Sequence, residues 1–164
     1  MSSIEVDSVD SSHNFEFMRK IPPLKMYHHL REAEFLAYLS PTGSLGKLRS
    51  FAEQVTRLEA ARLYRTNPRL RDADFFDVLK AVERERLFGD DDLQDLHQLR
   101  KDGNDAIHPP FEGSTSKALS NIRIAWKFCI RRYTNSTDRS APVDFCVPTN
   151  YHELISSSDA LQRE

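Results

Sequence analysis

Cysteine is nearly absent from this 164-residue chain, which has only Cys129 and Cys146 and no Cys-x-x-Cys pair. Two isolated thiols exclude a disulfide framework and the common zinc-ligand spacings, and Cys129 falls in an apolar helical pattern that reads as core rather than nucleophile. The expectation is a cytoplasmic protein kept reduced. Long apolar runs are missing too. No stretch approaches the ~18 residues that a membrane span needs, and the Ser- and Asp-rich residues 1–14 lack the basic-then-apolar order of a secretory leader, so no membrane partner is expected. Nor does one sign of charge prevail: 23 Lys+Arg against 25 Asp+Glu leave −2 at pH 7. Contact with RNA or DNA would therefore need a local basic patch. Glycine numbers only five. Thr42-Gly43-Ser44-Leu45-Gly46-Lys47 comes nearest to a phosphate loop, but its glycines are too close together and Leu48 stands where a magnesium-binding hydroxyl is needed. His28 and His29 are adjacent and diverge on a helix, His97 has no second ligand at helical spacing, and His152-Glu153 lacks the second histidine of a metalloprotease helix. No metal and no cofactor are expected.

What the chain does have is helical periodicity. With 39% hydrophobic residues, its length suits one domain with a real core. Residues 1–23 read as a flexible segment punctuated by Pro22-Pro23. From Leu24, apolar residues at three-to-four spacing predict a helix of about four turns, ending at Ser40-Pro41-Thr42-Gly43. A second helix, capped by Thr42 or Ser44, turns Leu45, Leu48, Phe51, Val55 and Leu58 inward and runs to Tyr64. A third, capped by Asp72 or Asp74, buries Phe75, Val78, Leu79 and Val82. The fourth starts at Asp90-Asp91-Asp92, where the helix dipole favours negative charge, and presents Leu93, Leu96, Leu99, Gly103 and Ile107 to the core. It stops at His108, because the residue before Pro109 is pushed out of the α region. The fifth, after Ser114, carries the most apolar stripe: Ala118, Leu119, Ile122, Ala125, Trp126, Cys129 and Ile130. Short connections between four or five amphipathic helices predict an all-α, up-and-down bundle over residues 24–133. Residues 134–164, rich in Thr, Asn, Ser, Asp and Pro, read as a mostly irregular C-terminal arm or linker.

Two groups of side chains bear chemistry. Arg100, Asn104 and His108 recur every four residues and stack on one face of a continuous helix, ~12 Å from end to end. Arginine can hold a phosphate bidentately and histidine can move a proton at near-neutral pH, with asparagine orienting either group. The same three could equally form a structural ladder, with Arg100 on a carboxylate, Asn104 on a loop backbone and His108 closing the helix. Gly103 beside them implies close approach of another backbone or room for a ligand. The second group, Arg123, Lys127 and Arg131 with Arg132 adjacent, makes a ridge on the fifth helix. It reads as a nucleic-acid contact or an ordinary solvated face.

The segment Leu99 to His108, written LR-x-x-GN-x-A-x-H, resembles the HEPN-like domain at the N-terminus of many type I restriction endonuclease R subunits. So do NF-x-F at Asn14-Phe15-Glu16-Phe17, AE at Ala33-Glu34 and KLR-x-FAE from Lys47 to Glu53, with Ala118-Leu119 and Ala125-Trp126 echoing the last helix. The resemblance runs in order over about residues 14–133. It implies a HEPN-type bundle in a restriction or anti-phage defence system, contacting RNA or DNA, or a restriction or helicase–nuclease protein. Ribonucleases of the wider superfamily place four to six residues between arginine and histidine; here seven lie between Arg100 and His108. Three functions stay open. One is an interaction module. Another is a metal-independent endoribonuclease toxin, acting as a homodimer, in which Arg100 holds the scissile phosphate and His108 moves the proton. The third is a structural or inhibitory partner of a larger helicase–nuclease.

Overall fold

The computed structural model describes residues 14–108, 110 and 113–161; residues 1–13, most of the segment expected to be flexible, lie outside them. Six α-helices make an all-α bundle, and no strand occurs among the described residues. They are α1 (Leu24–Leu39), α2 (Pro41–Ala60), α3 (Phe75–Arg84), α4 (Asp90–Ile107), α5 (Thr115–Tyr133) and α6 (Tyr151–Leu161). Short 3-10 turns lie at Glu16–Lys20, Ala61–Leu63 and Pro68–Arg71.

Local chemistry accounts for most boundaries. Ser40, not Thr42 or Ser44, caps α2: its Oγ accepts from the Gly43 N–H at 3.2 Å, and Pro41 occupies the first turn, where a missing N–H is harmless. The two rejected caps have other partners. Ser44 donates to the Ala33 carbonyl at 2.7 Å, stitching α2 to α1, while Thr42 Oγ1 accepts from the Gly113 N–H at 3.1 Å and fixes the approach to α5. Asp74 caps α3 and Ser114 caps α5. α2 gives way at Ala60 to a 3-10 turn, short of the expected Tyr64.

The core centres on Phe51 and Phe128, whose rings meet edge-on at 6.0 Å, with Leu30, Leu48, Leu96 and Ile122 fully buried around them. Two residues expected to point inward do not. Ile107 is 54% exposed and Leu58 is also outward. The buried stripe of α4 runs through Leu96, Leu99, Gly103 and Ala106, and on α2 it passes from Val55 and Thr56 to Ala60. A 3.6-residue period rotates positions 58 and 107 past the core-facing edge.

Residues on both sides of the 24–133 bundle pack against it. Among the described residues, those before Leu24 pack on the bundle, because Phe15 at the cap of the first 3-10 turn and Phe17 and Met18 within it all enter the core. Each such apolar side chain contributes ~1.5–3 kcal/mol of burial. The C-terminal arm is irregular only to residue 150, then forms α6, and it folds back on the bundle. Phe145 packs on Trp126 with ring centroids 5.7 Å apart, and Tyr151 packs on Phe35 at 5.0 Å. No helix among the described residues is long and apolar enough to cross a membrane.

α2 and α4 meet closely at Gly103. A Cβ there would overlap the Cβ of Arg49 and approach the Leu45 carbonyl oxygen to 3.0 Å, whereas a Cβ at Gly46 would meet nothing within 4 Å. Gly103→Ala is therefore expected to cost ~1–3 kcal/mol by overpacking. Gly46→Ala, also inside a helix, should gain ~0.4–1 kcal/mol. Urea unfolding of the two variants checks the pair, and effects of the same sign would refute this account of the crossing.

Candidate functional site

The Arg100/Asn104/His108 stripe exists on α4 for its first two members only. Asn104 faces α2, where its Oδ1 accepts from Arg49 Nε at 2.6 Å. Arg100 turns toward α3, its guanidinium carbon 4.9 Å from the Phe76 ring centroid, with Nε buried and unpartnered among the described residues. His108 has left the helix: its φ of −109° and ψ of 116° are extended, as expected before Pro109, and the residue is exposed. The every-four stack thus breaks at its last step. The three side chains face different surroundings.

The Asn104 contact belongs to a longer polar line. Arg49 Nη1 also reaches Glu53 at 3.1 Å, Glu53 accepts two bonds from Arg57 at 2.8 and 3.0 Å, and Arg57 donates to the Ala73 carbonyl at 2.8 Å. Arg49, Glu53 and Arg57 recur every four residues on α2, so this spacing was legible beforehand. Their target on α4 was not. Arg49 also lies over the Phe75 ring at 5.5 Å, so the line ties α4, α2 and the head of α3 together. On the opposite side of α4, Asp102 is only 6% exposed and its Oδ2 accepts from Gln98 at 2.7 Å and from Asn121 of α5 at 2.9 Å. A polar groove of about 610 Å³ lies there, between α4 and α5, lined by Gln98, Asp102, Lys117, Ser120 and Asn121. Sequence reasoning passed over Asp102 and Asn121, whose burial depends on a neighbouring helix.

The cationic ridge of α5 is half neutralised. Arg131 bridges Asp92 and Asp95 of α4, at 2.9 and 2.5 Å, and Arg132 reaches Glu59 of α2 at 2.8 Å while lying over the Phe88 ring at 4.4 Å. Arg123 lies over the Phe145 ring at 5.0 Å, and Lys127 is exposed. Of the expected ridge of four, Arg131 and Arg132 also hold α5 to the acidic start of α4 and the end of α2. Among the described residues, no three His, Cys, Asp or Glu side chains converge on a metal-ion position. Burial pushes the Cys129 thiol well up, as suits a core residue.

Two histidines bind protons less readily than a free imidazole. Burial is the main cause at His97, aided by Arg100 and Lys80 and opposed by Glu83, whose carboxylate lies 3.8 Å away. At His29 burial is joined by Lys47 and Lys25. The unfolded chain, with ordinary histidines near ~6.5, takes up these protons first. Their contribution to stability is accordingly full above about pH 6.5 and falls as the pH drops through the lowered native values. Replacing both His29 and His97 by glutamine should flatten the stability loss between about pH 7 and 5. Denaturation midpoints across that range measure it.

The polar line makes a second prediction. Asn104→Ala should lose ~1–3 kcal/mol by stranding the half-buried Arg49. His108→Ala should stay within ~0.5 kcal/mol of the parent. Thermal or urea unfolding distinguishes them, and a larger loss at position 108 than at 104 would reverse these assignments. No family model matches the chain, and neither a curated protein nor a solved structure does.

Proposed function

We propose that this chain is a HEPN-like helical module of a restriction or anti-phage defence system, and that it acts by contacting a macromolecular partner rather than by cleaving RNA. The observation that carries this reading is the 2.6 Å bond from Arg49 to Asn104. The asparagine that would have oriented a phosphate or an imidazole is committed to joining two helices, and His108 stands off the helix that would have aligned it with Arg100. The same bond links the KLR-x-FAE and GN-x-A-x-H segments on which the resemblance rests. These segments therefore have a role in packing that requires no turnover. For contact, the surface offers Arg100 stacked on Phe76, a side chain that is 46% exposed. Aromatic and arginine side chains of this kind are enriched at protein interfaces. A helicase–nuclease protein is the partner class that the resemblance implies.

Incubation of the purified protein with mixed RNA in EDTA, beside His108→Ala matched for helical circular dichroism, tests the reading. The expected result is no cleavage that depends on His108. RNA cleavage by the parent, lost in the variant, would overturn it in favour of the metal-independent ribonuclease.

A further inference from the structure

Asn14 is buried, 1% exposed, yet its amide does what buried side chains rarely do: it pairs with both backbone groups of one distant residue. Its Nδ2 donates to the Cys146 carbonyl at 2.6 Å, and its Oδ1 accepts from the Cys146 N–H at 2.8 Å. A side-chain amide used in this way imitates one rung of a neighbouring strand and is indifferent to the side chain it holds. Cys146 accordingly points its thiol outward, exposed. The amide is itself held from behind. Nδ2 also bonds Glu34 Oε2 at 3.0 Å; Glu34 is 3% exposed and pairs with Arg31 at 3.0 Å. One residue before the paired backbone, the Phe145 ring packs on Trp126 and lies under the guanidinium of Arg123. Two residues after it, Pro148 is buried.

The socket and its occupant differ in how firmly they are built. Asn14, Glu34, Arg31, Arg123 and Trp126 belong to the bundle and its first 3-10 turn or flank it. Residues 134–150 contribute neither helix nor strand, and Val143 is 91% exposed. Such a segment opens at lower free energy than the helices beneath it. The fit is also incomplete, since the buried indole N–H of Trp126 has no acceptor among the described residues. An occupant offering a carbonyl there would bind better.

We infer that the Asn14–Trp126 socket is a docking site for an extended peptide segment, and that residues 143–148 are an intramolecular occupant which a partner's segment displaces. The recognised pattern is an aromatic residue followed directly by a residue with free backbone N–H and C=O. The inference deepens the interaction reading above, and its test reads arm seating rather than RNA cleavage, so either can fail alone.

Trp126, the single tryptophan, reports seating directly. In the full chain, Phe145→Ala is expected to shift its emission to the red and to speed proteolysis within residues 134–150. A synthetic peptide with the sequence of residues 141–149, added in trans to that variant, should reverse the shift saturably. The parent should bind the peptide at least ~10-fold more weakly, because its own arm competes at an effective concentration on the order of millimolar. Asn14→Asp in the Phe145→Ala background places a carboxylate against the peptide carbonyl and should abolish binding. If Phe145→Ala loses helicity, a protease site inserted at Ser136 frees the arm with its side chains intact, and exchange of the cut arm for labelled peptide is read instead. Unmoved emission and proteolysis in well-folded Phe145→Ala, or equal peptide binding with and without the Asn14 amide, would overturn the inference.

Discussion

The approach of α2 to α4 at Gly103 is the constraint on which the rest of the bundle depends. Without a Cβ at that position, Arg49 can lie against the α4 backbone and send its guanidinium to Asn104 one residue further on. From there the polar line passes through Glu53 and Arg57 to the head of α3. A larger residue would force α2 outward, lengthening a bond that crosses 55 positions of sequence, and would unseat Phe75 beneath Arg49. Residues that look like chemistry when read in a row are, in three dimensions, fasteners around a tight crossing. Packed interiors transmit such a local change because they have little free volume to absorb it.

Charge follows the same logic. The three aspartates that open α4 suit its dipole, and one of them, Asp92, also receives Arg131 and Arg132 from the end of α5. The antiparallel course of the two helices brings the acidic start of one against the basic end of the other. A near-neutral chain can therefore have an apparent basic ridge whose final turn is already balanced internally.

Much of this fold was legible because period and punctuation agreed. α1, α3 and α5 lie where apolar spacing and caps put them, and the all-α bundle follows from them. The failures share a cause. Ser40, Thr42 and Ser44 have equally suitable hydroxyls for capping α2, and only the tertiary partners of the last two, Gly113 and Ala33, decide in favour of Ser40. The 3-10 turn at Glu16–Lys20 is too short to show a period, so Phe15, Phe17 and Met18 carried no helical signal. In the site, the spacing of Arg100 and Asn104 was right but the direction of each side chain was not readable, since it depends on Phe76 and Arg49 from other helices. His108 was the exception: Pro109 already foretold that it would leave the α region.

The paired bonds between Asn14 and Cys146 join residues 132 positions apart. They close residues 14–146 into a ring without a covalent bond. Closing a loop of this length carries an entropic cost, which the docked helices between its two ends already meet in the folded chain. Opening the clasp releases the arm alone, because the 3-10 turn stays anchored through Phe17 and Met18 in the core.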